Sequence, residues 1–275
     1  MKDLTKKAAS IVDAVRRGNP LVDCITNYVT VNDCANILLA FGASPAMCDA
    51  LDVAYDFAKI AGSLYINFGT YLKEQEAAAV QAAQAAKAAG IPIVVDPVGC
   101  AAIPKRIGLL QDIHRAGGVS IIKGNMGEIG ALAAAISPRF RVGAVKGVDS
   151  ASEMAGIDEA ARAVAEKYGC VVAATGKIDV VTDGKRLVKV ENGVEMLKLV
   201  TGAGCMLGAL CGATSAAAKD DPLDAAVAAI VSLCIAGEMA AAKARFPGSF
   251  RVALMDSIFQ VDGAMIREKG RIHEE

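Results

Sequence analysis

Apolar and polar positions along this chain switch between two periods. Asp3 to Arg17 carries apolar residues at helical spacing and stops at Gly18-Asn19-Pro20. "PLVDCIT" then reads as a short strand. "VNDCANILLAFG" returns to the helical period, with Asn32 or Asp33 as a plausible cap and Gly42 as a stop. "SLYINFGT" predicts a strand that ends in a turn, and "YLKEQEAAAVQAAQAAKAAG" a long alanine-rich helix closed by Gly90. "IPIVVDPVG" is continuously apolar, the pattern of a strand buried on both faces of a parallel sheet. The alternation persists through "PKRIGLLQDIHRAG" (helix), "VSIIKGN" (strand), "MGEIGALAAAI" (helix), a helix within "SASEMAGIDEAARAVAEKYG", and "CVVAATG" (strand). "DVVTDGKRLVKV" places Asp183-Gly184 between two β-rich runs, a hairpin signal. Three helical stretches complete the chain: after Gly204, from Ala225 to Ala244, and from about Ser249 to Glu268.

Strands alternating with helices, and no linker to divide them, predict one α/β domain over residues 1–275 with a mostly parallel central sheet flanked by helices on both faces. In such sheets ligands bind beyond the carboxyl ends of the strands. The polar and glycine residues fall at those ends: Asn67-Phe68-Gly69-Thr70, Asp96-Pro97-Val98-Gly99, Lys123-Gly124-Asn125 and Thr175-Gly176. Any one of these could be an ordinary turn. Together they predict a shared cleft.

Composition narrows the partners. Of 275 residues 54% are hydrophobic and the net charge is −1, so a large core is expected. No basic stripe interleaves with aromatics and tryptophan is absent, which argues against nucleic acid. The run Ala225–Ala244 is interrupted by Glu238, so it reads as a core helix, whereas a membrane span needs roughly 20 unbroken apolar residues. The N-terminus alternates charge and apolar character and lacks a signal-peptide core, so a cytoplasmic protein is expected. The eight cysteines are scattered, with no C-x-x-C, and read as free buried thiols. His114 and His273 are the only histidines, the second in a polar tail, which makes a Cys/His zinc site improbable.

Two phosphate signatures fail. The pattern G-x-x-x-x-G-K-[ST] is absent, and the glycines at Gly202, Gly204 and Gly208 miss G-x-G-x-x-G by one residue. "TGAGC" can still hold an anion, because its glycines expose N–H groups at the start of a helix. Such a site stabilises a transferring phosphoryl group and favours the thiolate of Cys205. The same stretch also fits a tight turn with a buried cysteine. Asp96 follows an apolar run, and Glu128 sits in the first turn of a helix, three residues after Asn125. If they share the cleft they can hold Mg2+ directly or through water. Otherwise Glu128 is a capping carboxylate and Asp96 a turn former.

The blocks "VDCITNYVTVNDCANILLAFGASPAM", "LYINFGT", "VVDPVGC", "IIKGNMGEI", "VVAATGKIDVVTDG", "VTGAGCMLGAL" and "PGSF", in order from about Pro20 to Phe250, resemble the hydroxyethylthiazole kinases of thiamine salvage. The resemblance implies a ribokinase-like fold and phosphorylation of the alcohol of 4-methyl-5-(2-hydroxyethyl)thiazole by ATP and Mg2+. It also implies a homotrimer with active sites at subunit boundaries. It assigns Gly202, Ala203, Gly204 and Cys205 to the anion hole, with Gly202 also against the thiazole. Cys205 stands where most of the superfamily has a catalytic aspartate. Asn27 and Met47 match substrate-side positions, Lys123 and Thr175 ATP-side positions, and Asp96 and Glu128 the carboxylates near Mg2+. Two residues depart from the pattern. Lys123 replaces a frequent arginine and gives up the planar bidentate contact. Asp23 replaces a frequent histidine and is expected to point away from the phosphates. The rivals are a ribokinase-like kinase for another small alcohol, such as a hydroxymethylpyrimidine, a thiol hydrolase that would need a histidine beside Cys205, and a thiazole-binding protein without catalysis.

Overall fold

The computed structural model describes residues 2–70, 72–140 and 156–275. Its strands are β1 (Leu21–Ile25), β2 (Ser44–Ala46), β3 (Ser63–Asn67), β4 (Ile93–Asp96), β5 (Ile121–Asn125), β6 (Val171–Thr175), β7 (Asp179–Thr182), β8 (Leu187–Val190) and β9 (Ile272–Glu274). Its helices are α1 (Lys2–Gly18), α2 (Val31–Phe41), α3 (Ala54–Ala58), α4 (Lys73–Ala89), α5 (Lys105–Gly117), α6 (Met126–Ile136), α7 (Ile157–Tyr168), α8 (Ala203–Ala217), α9 (Pro222–Lys243), α10 (Pro247–Gln260) and α11 (Gly263–Lys269). The strands form one sheet in the spatial order β2-β1-β3-β4-β5-β6-β7-β8-β9. From β2 to β6 neighbours are parallel, and from β6 to β9 they are antiparallel.

Strand residues alternate between two cores, as the pleat requires. Val22, Cys24, Tyr65, Val94 and Ile121 pack with α1, α2, α8, α9 and α10. Ile25, Leu64, Ile66, Val95 and Ile122 pack on the other side with α3 to α7. The continuous apolar runs are therefore explained: both faces of the parallel strands are covered. The apolar helix α9 is long enough to cross a membrane, but 78% of its most apolar window is buried inside the protein. Its interrupting Glu238 accepts from the Gly193 N–H at 2.8 Å and the Arg271 Nη2 at 2.6 Å, and so ties the chain end to the sheet.

Several boundaries differ from those the sequence predicts. The last helical stretch is two helices, because Asp262 caps a new start by accepting from Met265 N–H at 2.8 Å. The polar tail with His273 is a strand, β9, that pairs with β8. β2 and α3 carry too little periodicity to have been anticipated. Neither Asn32 nor Asp33 caps α2, which begins at Val31 with Thr30 at the cap position, and Asp33 is ion-paired to Arg251. The predicted stretch Ser150–Gly169 begins outside the described residues, and its helix runs from Ile157. The Asp183-Gly184 hairpin forms between β7 and β8.

Candidate active site

The carboxyl ends of the parallel strands set out polar residues in one row. Met47 follows β2 and Asn27 follows β1; Asn67 ends β3 and Asp96 ends β4; Lys123 lies in β5 and Thr175 ends β6. Asn67 and Asp96 are direct partners across β3 and β4. Helix α8 packs across β1, β3, β4 and β5 and delivers its N-terminus over the middle of this row.

Glycine shapes that N-terminus at two points, and at Gly202 the backbone requires it. Gly202 caps α8 at φ +88°, and a Cβ there would lie 2.6 Å from Thr30 Cγ2. A Cβ on Gly204 would lie 3.0 Å from Lys123 Nζ, so the loop backbone rests directly on that cation. The amides of Gly204 and Cys205, in the first turn, have no intrahelical acceptor.

Lys123 is buried and donates to Asp96 Oδ2 at 3.1 Å. Burial pushes the Asp96 carboxyl up to about 6, against the pull of Lys123, with Glu128 adding to the rise. On Lys123 burial opposes the charge, but Asp96, Glu128 and Cys205 outweigh it and its pKa rises. Both directions are consistent with a cation that stays charged beside a carboxylate that is costly to ionise.

Cys205 is half-buried, and its sulfur faces two carboxamides, Asn67 Nδ2 at 3.3 Å and Asn27 Nδ2 at 3.5 Å. The orientation of Asn27 is fixed by its oxygen, which accepts from the Val29 and Thr30 amides at 3.1 Å each. Tyr65 donates to the Cys205 carbonyl at 3.0 Å.

Glu128 is a capping residue. Asn125 Oδ1 accepts from Glu128 N–H at 2.9 Å, and Glu128 accepts from Asn125 N–H and Gly99 N–H at 2.8 Å each. Both its oxygens are already engaged. Asp96 Oδ1, in contrast, is buried with no hydrogen-bond partner. No group of three or more His, Cys, Asp or Glu side chains poised for a metal occurs among the described residues. One free carboxylate oxygen beside a capping glutamate suits Mg2+, which takes one or two carboxylates and fills its shell with phosphates and water.

A model of the hydroxyethylthiazole kinase family matches residues 12–263. The hydroxyethylthiazole kinase of Clostridium kluyveri is 51% identical over 273 residues, covering 99% of each chain. The chain belongs to the hydroxyethylthiazole kinase family. A solved hydroxyethylthiazole kinase from Pyrococcus horikoshii OT3 superposes with a TM-score of 0.88 at 36% identity, covering 100% of both chains. A pyridoxal kinase from Staphylococcus aureus, solved with AMP-PCP and pyridoxal, has a TM-score of 0.55 at 14% identity, over 78% of this chain and 86% of that one. That second likeness concerns the fold alone, which is ribokinase-like.

In this family member the structure draws Asn27, Asp96, Lys123, Gly202, Gly204 and Cys205 into one cluster. Met47 stands at one end of the row, partly buried against the core. Thr175 stands at the other, its hydroxyl donating to the Gly124 carbonyl at 3.3 Å. Asp23 lies beside Cys24, Cys48 and Asp49, the groups that share its field. His114 stacks edge-on against Tyr168 with ring centroids 5.2 Å apart, and no histidine bonds Cys205. The hydrolase reading therefore loses its base.

Two residues escaped the sequence reading, and for a third, Asn67, only its place at a strand end was read and not its contacts with Asp96 and Cys205. Tyr65 lies inside an apolar strand and reads as a core aromatic. Arg106 donates to the Val98 and Gly69 carbonyls and clamps the turns after β3 and β4 together. In sequence it reads as an ordinary charge on a helix.

Proposed function

We propose that this chain, as one kinase domain over residues 1–275, transfers the γ-phosphoryl group of ATP to the hydroxyl of 4-methyl-5-(2-hydroxyethyl)thiazole. The carrying observation is the spatial order across the sheet. Substrate-side Met47 and Asn27 follow β2 and β1, and ATP-side Lys123 and Thr175 lie in β5 and β6. The N-terminus of α8 stands between them, where phosphoryl transfer has to occur.

The alcohol oxygen forms its bond to the γ-phosphorus as the bond to ADP breaks, and its proton passes to the Cys205 thiolate. Through a loose transition state this step asks little of a base and much of positioning and charge stabilisation. Lys123 and the Gly204 and Cys205 amides supply the positive potential. Asn27 orients the sulfur from the substrate side. Asp96 would hold Mg2+ through its free oxygen, with Glu128 acting through water, and the ion would neutralise charge on the ATP phosphates.

The assembly we favour is a homotrimer. Tyr28 and Val29, next to Asn27, and Leu199, near Gly202, are apolar and exposed, which supports a partner surface at the cleft mouth. All eight cysteines are free, which suits a reducing cytoplasm. The test is phosphorylation of the thiazole alcohol by ATP with and without Mg2+, beside hydroxymethylpyrimidine. Mg2+-dependent thiazole phosphate is the expected product. Preference for the pyrimidine, or thiazole binding without turnover, would overturn the assignment. Sedimentation equilibrium decides the trimer.

A further inference from the structure

The ladder between β3 and β4 ends where the Phe68 N–H donates to the Asp96 carbonyl at 3.1 Å. Beyond that bond the two strands part into separate turns, and each turn serves a different half of the cleft. The turn after β3 presses on Asn27: a Cβ on Gly69 would lie 2.7 Å from Asn27 Cγ, and the Gly69 N–H donates to Asn67 Oδ1 at 2.9 Å. The turn after β4 reaches Glu128, whose Oε1 accepts from the Gly99 N–H at 2.8 Å. Arg106 joins the two. Its Nη2 donates to the Gly69 carbonyl at 2.9 Å, and its Nη1 donates to the Val98 carbonyl. Gly99 leaves room for the guanidinium: its φ is +69°, and a Cβ there would lie 2.6 Å from Arg106 Nη1.

Arg106 is the second residue of α5, at the positive end of the helix dipole, where a cation is disfavoured. Its bonds within the fold go to two backbone carbonyls rather than to a carboxylate. A planar fork with several N–H groups reaches carbonyls on two turns at once, which a lysine ammonium does not match. We propose that Arg106 is a positioning residue that sets the substrate side of the cleft, at Asn27, against the metal side, at Glu128. It acts through the backbone of Gly69 and Gly99, not on the reacting atoms. This rests on the reading that the alcohol enters beside Asn27 and Mg2+ beside Asp96 and Glu128. Releasing the fork frees both turns together, so use of the alcohol and the demand for Mg2+ suffer in the same variant.

The test uses Arg106→Gln, which removes the fork, and Arg106→Lys, which keeps the charge and is the milder change should the glutamine variant fail to fold. Steady-state phosphorylation is run well below the unfolding midpoint. In Arg106→Gln, kcat/KM for the thiazole alcohol should fall about tenfold and the Mg2+ needed for half-maximal rate should rise about tenfold, at the low end of what loss of an outer partner of a metal site costs. Arg106→Lys should lie between that variant and wild type. KM for ATP at saturating Mg2+ should hold, because Lys123 and Thr175 lie in β5 and β6, neither of which Arg106 bonds. Hydrogen exchange without ligands reads the clamp directly: the Gly69 and Gly99 amides should exchange faster in the variants. Unchanged kinetics with a lowered unfolding midpoint would make Arg106 a stabilising residue only, and an equal change in every constant would mean a general loosening; either result overturns the proposal. So does unaltered exchange at both glycines. Failure of the kinase reading would show in the wild type's own phosphorylation assay, and the exchange comparison stands apart from it.

Discussion

Replacing Asp23 with asparagine exchanges one oxygen for an amide and leaves the shape of β1 unchanged. The wild-type carboxyl is fully buried in the middle of that strand, and neither oxygen makes a hydrogen bond of full geometry. Burial pushes it up to about 7, with Asp49 adding to the rise, while the amides of Cys48 and Cys24 pull the other way by less. In the unfolded chain the group titrates near the ordinary value of about 3.9. Between those values the folded state holds a proton that the unfolded state has lost, so stability falls as pH climbs from about 4 to about 7 and stays reduced above that. About three units at about 1.4 kcal/mol each gives a cost near 4 kcal/mol at alkaline pH, an upper bound because a charged site relaxes. Asparagine has no charge to lose and escapes this cost. Any unmet hydrogen-bonding need of its amide is the same at every pH. The readout is therefore the change in the difference between the two proteins. Denaturant unfolding at pH 5 and pH 8 should show the variant gaining about 2–4 kcal/mol relative to wild type between the two conditions. Asp96 and Asp179, both pushed up to about 6 by burial, titrate in both proteins and cancel. An equal difference at pH 5 and pH 8 would refute the burial argument.

Cys205→Ser should lower turnover by about 10- to 100-fold, at the low end of general-base effects, with KM for the alcohol nearly unchanged in a steady-state assay. Unchanged turnover would remove Cys205 from the reaction. Lys123→Met takes the cation from beneath Gly204 and should lower kcat by about 100-fold or more, as loss of a transition-state charge partner does; Lys123→Arg, which keeps the charge, should retain more activity. Gly202→Ala forces a side chain into left-handed backbone and against Thr30, and should cost about 1–3 kcal/mol in thermal unfolding as well as activity.

Much of this site could be read from the chain because strand ends advertise themselves. Asp96 and Thr175 break apolar runs where the backbone leaves the sheet, and glycine at Gly202 and Gly204 marks backbone that something must approach. Glu128 showed its local role through the spacing from Asn125, and the capping box is formed. What could not be read is what crosses between strands. Asn67 and Asp96 are 29 residues apart in sequence and become neighbours only through the register of β3 and β4. Tyr65 sits in an apolar strand as any core aromatic would, and its hydroxyl gains meaning only when α8 brings the Cys205 carbonyl to it. The tail was misread for the same reason: "RIHE" is polar outward and acquires its strand from β8, a partner more than 80 residues away.

The buried charges form a pattern of their own. Lys123 and Asp96 would be replaceable by apolar residues if stability were all that mattered, since burying an ion pair costs about as much as the attraction returns. Asp96 keeps one oxygen unpartnered, and its pKa is held up by burial. Lys123 is held against the underside of the glycine loop, where a Cβ on Gly204 would lie 3.0 Å from its Nζ. Each is a local loss of stability placed where the proposed function has the phosphoryl group transferred. The fold tolerates that loss because the sheet is covered on both faces by apolar helices. An incoming anion at the α8 N-terminus and a cation at Asp96 Oδ1 would satisfy both groups at once. Binding of nucleotide with its metal should therefore stabilise the chain more than either ligand does alone, and thermal shifts with ADP, Mg2+ and both together measure that coupling. Additive shifts would mean that the two groups do not serve one ligand.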